Sequence, residues 1–94
     1  MLRSHARVTA DKAEQYLIQL CKHFAHRRPA TYGEGKGRIE FESGTCLLQS
    51  APGVLDMTIE APDEEDLTRL EEVVKSHLQR FAFREPPEFD WTRG

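Results

Sequence analysis

The chain has 94 residues, of which 31% are charged and 38% are hydrophobic, and its formal net charge is −3. This length and balance predict one globular domain, residues 1–94, with a modest core. The acidic balance disfavours a nucleic-acid partner, and no apolar run approaches the roughly 20 residues of a membrane span. The N-terminal sequence lacks a signal peptide's apolar segment and the chain has only two cysteines. We therefore expect a cytoplasmic protein.

The first part of the sequence predicts a strand followed by a helix. Residues 2–8 alternate between small or apolar and charged or polar side chains, which indicates a weak strand. Thr9 suits the N-cap of a helix, and Asp11 suits its first turn. The helix is predicted from Ala10 to about His26, because the Arg-Arg-Pro sequence that follows is typical of a helix end.

Four short strands are predicted next, separated by glycine-containing turns. They are ATYGE, which has the weakest pattern, then GRIEF (37–41), TCLLQS (45–50) and VLDMTIEA (54–61). Short connections imply antiparallel hairpins. The GEGKG sequence has the glycines of a phosphate-binding loop but not its spacing, and it joins two strands, so it is interpreted as a hairpin turn.

The second helix has the clearest pattern in the chain. Asp63 suits the N-cap, and residues 64–66 place carboxylates in the first turn, where they stabilise a helix. An apolar stripe follows at helical spacing: Leu67, Leu70, Val74, Leu78 and Phe81. The tail that contains Phe89 and Trp91 is interpreted as a last short edge strand or a packed arm.

These elements predict an α+β fold in the order β-α-β-β-β-β-α, with an optional final strand. Two amphipathic helices and several one-sided strands fit a curved antiparallel sheet of four to six strands with both helices on one face. This order is similar to one half of the TATA-binding protein and to small helix-grip ligand binders. The opposite face would carry Arg38, Glu40, Glu42, Thr45, Gln49, Asp56, Thr58 and Glu60. It is interpreted as a solvated face, with a docking surface for a basic partner as the alternative.

A cysteine and two histidines lie close together in the sequence LCKHFAHRRP. Successive helical residues are rotated by about 100°, so Cys21 cannot share one metal ion with both His23 and His26. Only the two histidines, at i and i+3, share a face. Cys21 is interpreted as a small buried hydrophobe and the histidines as a solvated surface near the helix end. The alternative is a two-histidine metal or ligand site that other residues complete.

His77 lies within the apolar stripe of the second helix, where its ring nitrogens need hydrogen-bond partners. It is interpreted as a satisfied core histidine, and the alternative is a titratable group that lines a pocket. If both helices cover one sheet face, His77, Cys21 and Cys46 can approach one another. A Cys–His pair can bind a metal or act as a nucleophile.

Several blocks together resemble a family of small bacterial proteins that is classed as a domain of unknown function. They are YLIQLCKHFAHR, GRIEF, GTCLL, APD, LEEVVKSHLQRFAFRE and FDW, and they extend over roughly residues 5 to 91. Members are often encoded beside, or fused to, siderophore-interacting flavin reductases. The resemblance implies a role near ferric-siderophore handling, without an established activity. Its distinctive blocks fall on Cys21, Lys22, His23, Phe24, His26, Gly44, Thr45, Cys46, His77, Arg80, Phe81, Phe83, Asp90 and Trp91.

The favoured hypothesis is a non-catalytic accessory that binds a small ligand or a partner protein, such as a siderophore-related reductase. The candidate ligand-binding residues are His77, Cys21, Cys46, His23, His26 and Arg80, and the sequence does not indicate which cofactor, if any, is used. The alternative is a small metal-binding protein or enzyme that uses His77 with the two cysteines, or His23 with His26. A third hypothesis is a homodimer formed through a sheet edge or the Phe89–Trp91 arm.

Overall fold

The computed structural model describes residues 1–81 and 91–93, which form two helices and a six-stranded sheet. The elements are β1 (Leu2–Thr9), α1 (Ala13–Ala25), β2 (Ala30–Gly33), β3 (Lys36–Phe41), β4 (Gly44–Ala51), β5 (Val54–Ala61), α2 (Glu64–Phe81) and β6 (Thr92–Arg93). The predicted order is confirmed, including the final short strand. Neither helix of the described chain combines the length and the apolar character that crossing a membrane requires.

The sheet is antiparallel throughout, with the strand order β2-β3-β4-β5-β1-β6. Strands β2 to β5 are successive hairpins. The first strand then pairs with the last of them, with Leu2 opposite Ala61 and Thr9 opposite Val54. Two residues of β6 extend the sheet beyond β1, and Arg93 lies opposite Ser4.

Both helices pack on one face of the sheet, as predicted. The strands contribute alternate apolar residues to this face, and the helices contribute one stripe each. The core contains Val8, Ala13, Leu17, Leu20, Cys21, Ile39, Cys46, Leu48, Leu55, Met57, Ile59, Ala61, Leu67, Leu70, Val74 and Leu78. Trp91 packs against this core from the C-terminal segment. Phe83, Phe89 and Asp90, like the side chain of Phe81, lie outside the described residues.

The first helix begins three residues later than the sequence suggested. Thr9 is the last residue of β1 and pairs with Val54, so it does not cap α1. The backbone of Ala10 continues this pairing, since its N–H donates to the carbonyl of Gly53 at 2.9 Å. Lys12 takes the N-cap position without a side-chain cap bond. The Asp63 cap of α2 is confirmed, because its Oδ1 accepts the Asp66 N–H at 2.9 Å.

The hairpin between β2 and β3 confirms the interpretation of GEGKG. Glu34 and Gly35 both have positive φ, 52° and 74°, as a two-residue type I′ turn requires.

Further along β3, Gly37 allows α1 to lie directly on the sheet. A Cβ atom at Gly37 would lie 2.7 Å from the Sγ of Cys21, so a larger residue would displace the helix.

Candidate functional site

The C-terminal ends of α1 and α2 meet through aromatic side chains. The ring centres of His23 and His77 are 4.8 Å apart, with an interplanar angle of 50°. Phe24 packs against both imidazoles, at 5.1 Å from His23 and 4.9 Å from His77. Phe24 also meets Phe41 of β3 edge to face at 5.0 Å. The cluster therefore joins the two helices to the edge of the core, and we refer to these four residues as the aromatic cluster.

His77 is half-buried and is hydrogen-bonded, as its position in the stripe required. Its Nδ1 lies 2.7 Å from the backbone carbonyl oxygen of Val73. A carbonyl oxygen only accepts, so Nδ1 carries the proton and donates it. When the ring is neutral, its lone pair is consequently on Nε2.

Positive groups surround the exposed side of His23. Burial lowers the pKa of His23 most, and the charges of His77, His26, Arg80 and Arg27 lower it further. The predicted site residues His26 and Arg80 therefore lie near His23, and His26 is exposed at the helix end as expected. Within the described part of the chain, neither Arg27 nor Arg80 forms an ion pair. Cations suit this place, because the C-terminal end of a helix carries a partial negative charge.

The two cysteines lie in the core, between α1 and the sheet. Both are free thiols and fully buried. Burial raises the pKa of Cys21 to about 11. It also raises the pKa of Cys46, to which the proximity of Cys21 adds. Because the thiolate is the nucleophile and the metal ligand, both groups are chemically inert near neutral pH.

The predicted site residues therefore separate into two places. His23, His26, His77 and Arg80 lie together at the helix ends, whereas Cys21 and Cys46 lie together in the core. Among residues 1–81 and 91–93, no group of three or more His, Cys, Asp or Glu side chains is arranged to hold a metal ion. The pairing of His23 with His77 was not anticipated, since the sequence alone placed His23 beside His26.

A second cluster of polar side chains was not predicted from the sequence, and ion pairs hold it together. Glu71 of α2 is only 7% exposed and accepts a short hydrogen bond from the hydroxyl of buried Ser4. Arg93 of β6 donates to both carboxylate oxygens of Glu71 at 3.0 Å. The same guanidinium reaches Glu64 at 2.7 Å and the Thr68 hydroxyl at 3.1 Å. We refer to these five residues as the Glu71 network, and it holds β6 against α2.

The sheet face opposite the helices carries cross-strand ion pairs. Arg3 binds Glu60 at 2.7 Å, and Arg7 binds Asp56 at 2.9 Å. Leu47 lies at the middle of this open face, opposite Thr58 on β5 and Arg38 on β3. No described element covers this face.

Two cavities lie at the margins of the described structure. One of about 400 Å³ is lined by Met1, Leu2, Arg3, Glu64, Leu67 and Arg93. The other, of about 670 Å³, follows the β2–β3 hairpin and includes Tyr32 and Arg38. Arg3, Arg93 and Arg38 all form ion pairs within the chain, whereas Lys36, which also lines the second cavity, forms none with a described residue.

The fold and these clusters define a small α+β domain with one open sheet face and without a recognised catalytic arrangement in its described part. The chain belongs to a family of uncharacterised proteins conserved in bacteria (DUF2218), whose model matches residues 5–92. The chain is also similar to PA4090 from Pseudomonas aeruginosa, whose structure was determined by NMR. The two share 35% identity and a TM-score of 0.85, over 98% of this chain and 96% of that one. No curated protein matches the sequence.

Proposed function

We propose that this protein is a non-catalytic cytoplasmic accessory that binds a partner protein through the open face of its sheet. The observation that carries the proposal is the arrangement of this face. Leu47 and Thr58 form its half-buried centre, and charged side chains surround them. An apolar centre with a polar rim is the usual anatomy of a protein interface.

The charges of the open face fit a protein better than a nucleic acid. The basic residues of β1 are matched by carboxylates of β5, as in the pairs Arg3–Glu60 and Arg7–Asp56. On β3, Arg38 lies 3.5 Å from Glu40. Phosphate recognition needs an excess of cations, which a neutralised surface lacks. A protein surface of mixed charge is the complementary partner, because the exposed ion pairs can exchange with its side chains.

An enzyme has less support than a binding accessory. Cys21 and Cys46 are the nucleophiles that sequence reasoning considered. Burial raises the pKa of both thiols, that of Cys21 to about 11, which leaves little thiolate near neutral pH. A small ligand also has less support, because the three arginines beside the two cavities, Arg3, Arg38 and Arg93, are bound to carboxylates of the chain itself.

The partner that we propose is a siderophore-interacting flavin reductase. This choice rests on the family resemblance, since members are often encoded beside or fused to such reductases. Physical association through the open sheet face would keep the two proteins together where the genes are separate. The role of the domain would then be to support ferric-siderophore reduction without carrying out chemistry of its own.

The experiment is a binding titration of the protein with a purified siderophore-interacting flavin reductase from the same genome. Leu47→Glu places a charge at the centre of the open face and should weaken binding at least about tenfold. Gln19→Glu introduces the same charge on the exposed side of α1 and should leave the affinity unchanged. Circular dichroism of each variant establishes that the fold is kept.

Two outcomes would overturn the proposal. One is the absence of saturable binding to the reductase by the unmodified protein. The other is dimerisation of the protein in sedimentation that Leu47→Glu abolishes, because a second copy of the chain would then be what covers the open face.

A further inference from the structure

The geometry points to a site for one divalent transition-metal ion between His23 of α1 and His77 of α2, and we propose that their two imidazoles are its protein ligands. This site lies at the helix ends, on the side of the sheet opposite the open face. It therefore goes beyond the proposed function and does not depend on it.

The hydrogen bond of His77 prepares one ligand. Its Nδ1–H donates to the Val73 carbonyl at 2.7 Å, which leaves Nε2 as the lone-pair nitrogen of the neutral ring. Histidines that bind metals almost always donate their other ring N–H to a carbonyl, a carboxylate or water, because this bond fixes the tautomer and orients the ring. His77 already has this arrangement, because its acceptor is the carbonyl of Val73, one turn earlier on the same helix.

The separation of the rings fits one shared ion. Imidazole nitrogens bind zinc at about 2.0–2.1 Å, so two ligands of one tetrahedral centre have ring centres roughly 5 Å apart. The centres of His23 and His77 are 4.8 Å apart, and their planes are tilted by 50°. Phe24 contacts both rings and is itself packed against Phe41. Packing at the edge of the core therefore maintains the separation of the two imidazoles.

The charges around the pair affect how strongly a cation binds, and the imidazole ligands determine which ion is preferred. Among the described residues, the charged groups that act on His23 from the two helices are His26, Arg27, His77 and Arg80. From the sheet, the uncharged Phe41 contacts Phe24 of the same cluster. The surrounding charge weakens cation binding, whereas the carbonyl ends of both helices favour it. Imidazole ligands suit copper, nickel and zinc, with Cu²⁺ bound most tightly.

Two protein ligands leave the remaining coordination positions to water or to an external ligand. Among the described residues, His26 does not complete a group of three with this pair. Within residues 1–81 and 91–93 the site is therefore an open one, which is the type that can pass a metal on or present it to another molecule.

The test is a calorimetric titration of the untagged protein with Cu²⁺ and with Zn²⁺ near pH 7.5. We expect one ion per chain and tighter binding of Cu²⁺. His23→Gln and His77→Gln should each weaken binding at least about tenfold. Two matched controls, His26→Gln at the same helix end and His5→Gln on the open face, should stay within about twofold of the unmodified protein.

A second measurement keeps the test decisive if His77→Gln unfolds. Long-range nitrogen–proton correlation spectra of the unmodified protein should show His77 in the Nδ1–H tautomer. Added Zn²⁺ should shift the Nε2 signals of His23 and His77 together. The proposal is wrong if no saturable binding occurs, if His26→Gln weakens binding as much as His23→Gln does, or if the metal leaves the His77 signals unchanged.

Discussion

The two ends of the helix layer hold polar side chains in opposite electrostatic arrangements. In the first half of α2, Glu71 is buried and is bound by Arg93 and Ser4. At the C-terminal ends of both helices, the described charged groups that act on His23 are all basic: His26, Arg27, His77 and Arg80. The first arrangement is thus closed by its own ion pairs, whereas the described groups of the second are all basic.

This difference follows from burial. A carboxylate that is 7% exposed is stable only if hydrogen bonds and an opposite charge replace its water, and the Glu71 network supplies both. The cations at the helix ends remain exposed, so they need no partner inside the protein. The buried pair of Glu71 with Arg93 therefore maintains the structure, whereas the exposed Arg27 and Arg80 form no ion pair with another described residue.

The largest expected effect is the loss of the Glu71 carboxylate. Glu71→Ala removes two charge-assisted hydrogen bonds from Arg93 and leaves the buried Ser4 hydroxyl without its acceptor. We expect the free energy of unfolding to fall by about 3 kcal/mol. Urea denaturation measures this, with the midpoint and the slope fitted together.

The matched control for this variant is the next residue along the helix. Glu72 is exposed on α2, so Glu72→Ala should change the free energy of unfolding by less than about 0.5 kcal/mol. Equal effects of the two substitutions would mean that the Glu71 network does not hold β6 to α2, and the contrast between the two helix ends would fail.

Sequence patterns predicted the frame of this domain but not its long-range polar contacts. The alternation of Ile39, Cys46 and Leu48 and the stripe of α2 identified the core correctly, because these patterns depend only on local periodicity. Ser4 and Glu71 both occupy apolar positions of their elements, which was the available signal for a buried network. Their partner Arg93 could not be inferred, since its contact requires the pairing of β6 with β1.

The aromatic cluster shows the same limit. Local geometry placed His23 beside His26 and associated His77 with the cysteines. The structure instead brings His23 to His77, because the C-terminal ends of α1 and α2 lie side by side on the sheet. The relative direction of two helices depends on the strand order, which the sequence left open.

The second largest effect is expected in the aromatic cluster at the C-terminal ends of the helices. Phe24 is half-buried and packs against His23, His77 and Phe41. Phe24→Ala should lower the free energy of unfolding by about 2 kcal/mol, less than for a fully buried phenylalanine. Phe24→Leu keeps most of the apolar volume and should cost about 1 kcal/mol. Urea denaturation of the two variants side by side tests this, and a loss below 0.5 kcal/mol for Phe24→Ala would be inconsistent with the aromatic cluster.

A smaller effect is expected on the pKa of His23. Arg80 opposes the protonation of His23, so Arg80→Gln should raise this pKa toward its ordinary value of 6.5. The return should be incomplete, because burial is the larger cause and remains. Histidine resonances followed by NMR through a pH titration measure the change. Arg69→Gln, near the other end of α2, should leave the pKa of His23 where it is.

The same shift has a consequence for stability. The folded pKa of His23 is lower than the unfolded one, so the unfolded state binds the proton more readily. Stability therefore falls as the pH decreases through the unfolded pKa of about 6.5, and it falls further until the folded pKa is passed. In Arg80→Gln this acid-dependent loss should be smaller. An unchanged pH dependence would place Arg80 too far from His23 to affect it.

The smallest effect is expected for His26→Ala. The side chain is exposed at the end of α1, and its charge contributes only a weak interaction with the helix dipole. The free energy of unfolding should therefore change by less than about 0.5 kcal/mol, as urea denaturation can establish. Because His23 lies on the same face one turn earlier, this variant also separates the two histidine pairs. If this variant keeps its stability and its metal affinity, the metal is bound by His23 and His77, which folding brings together. It is then not bound by His23 and His26, which are close in sequence.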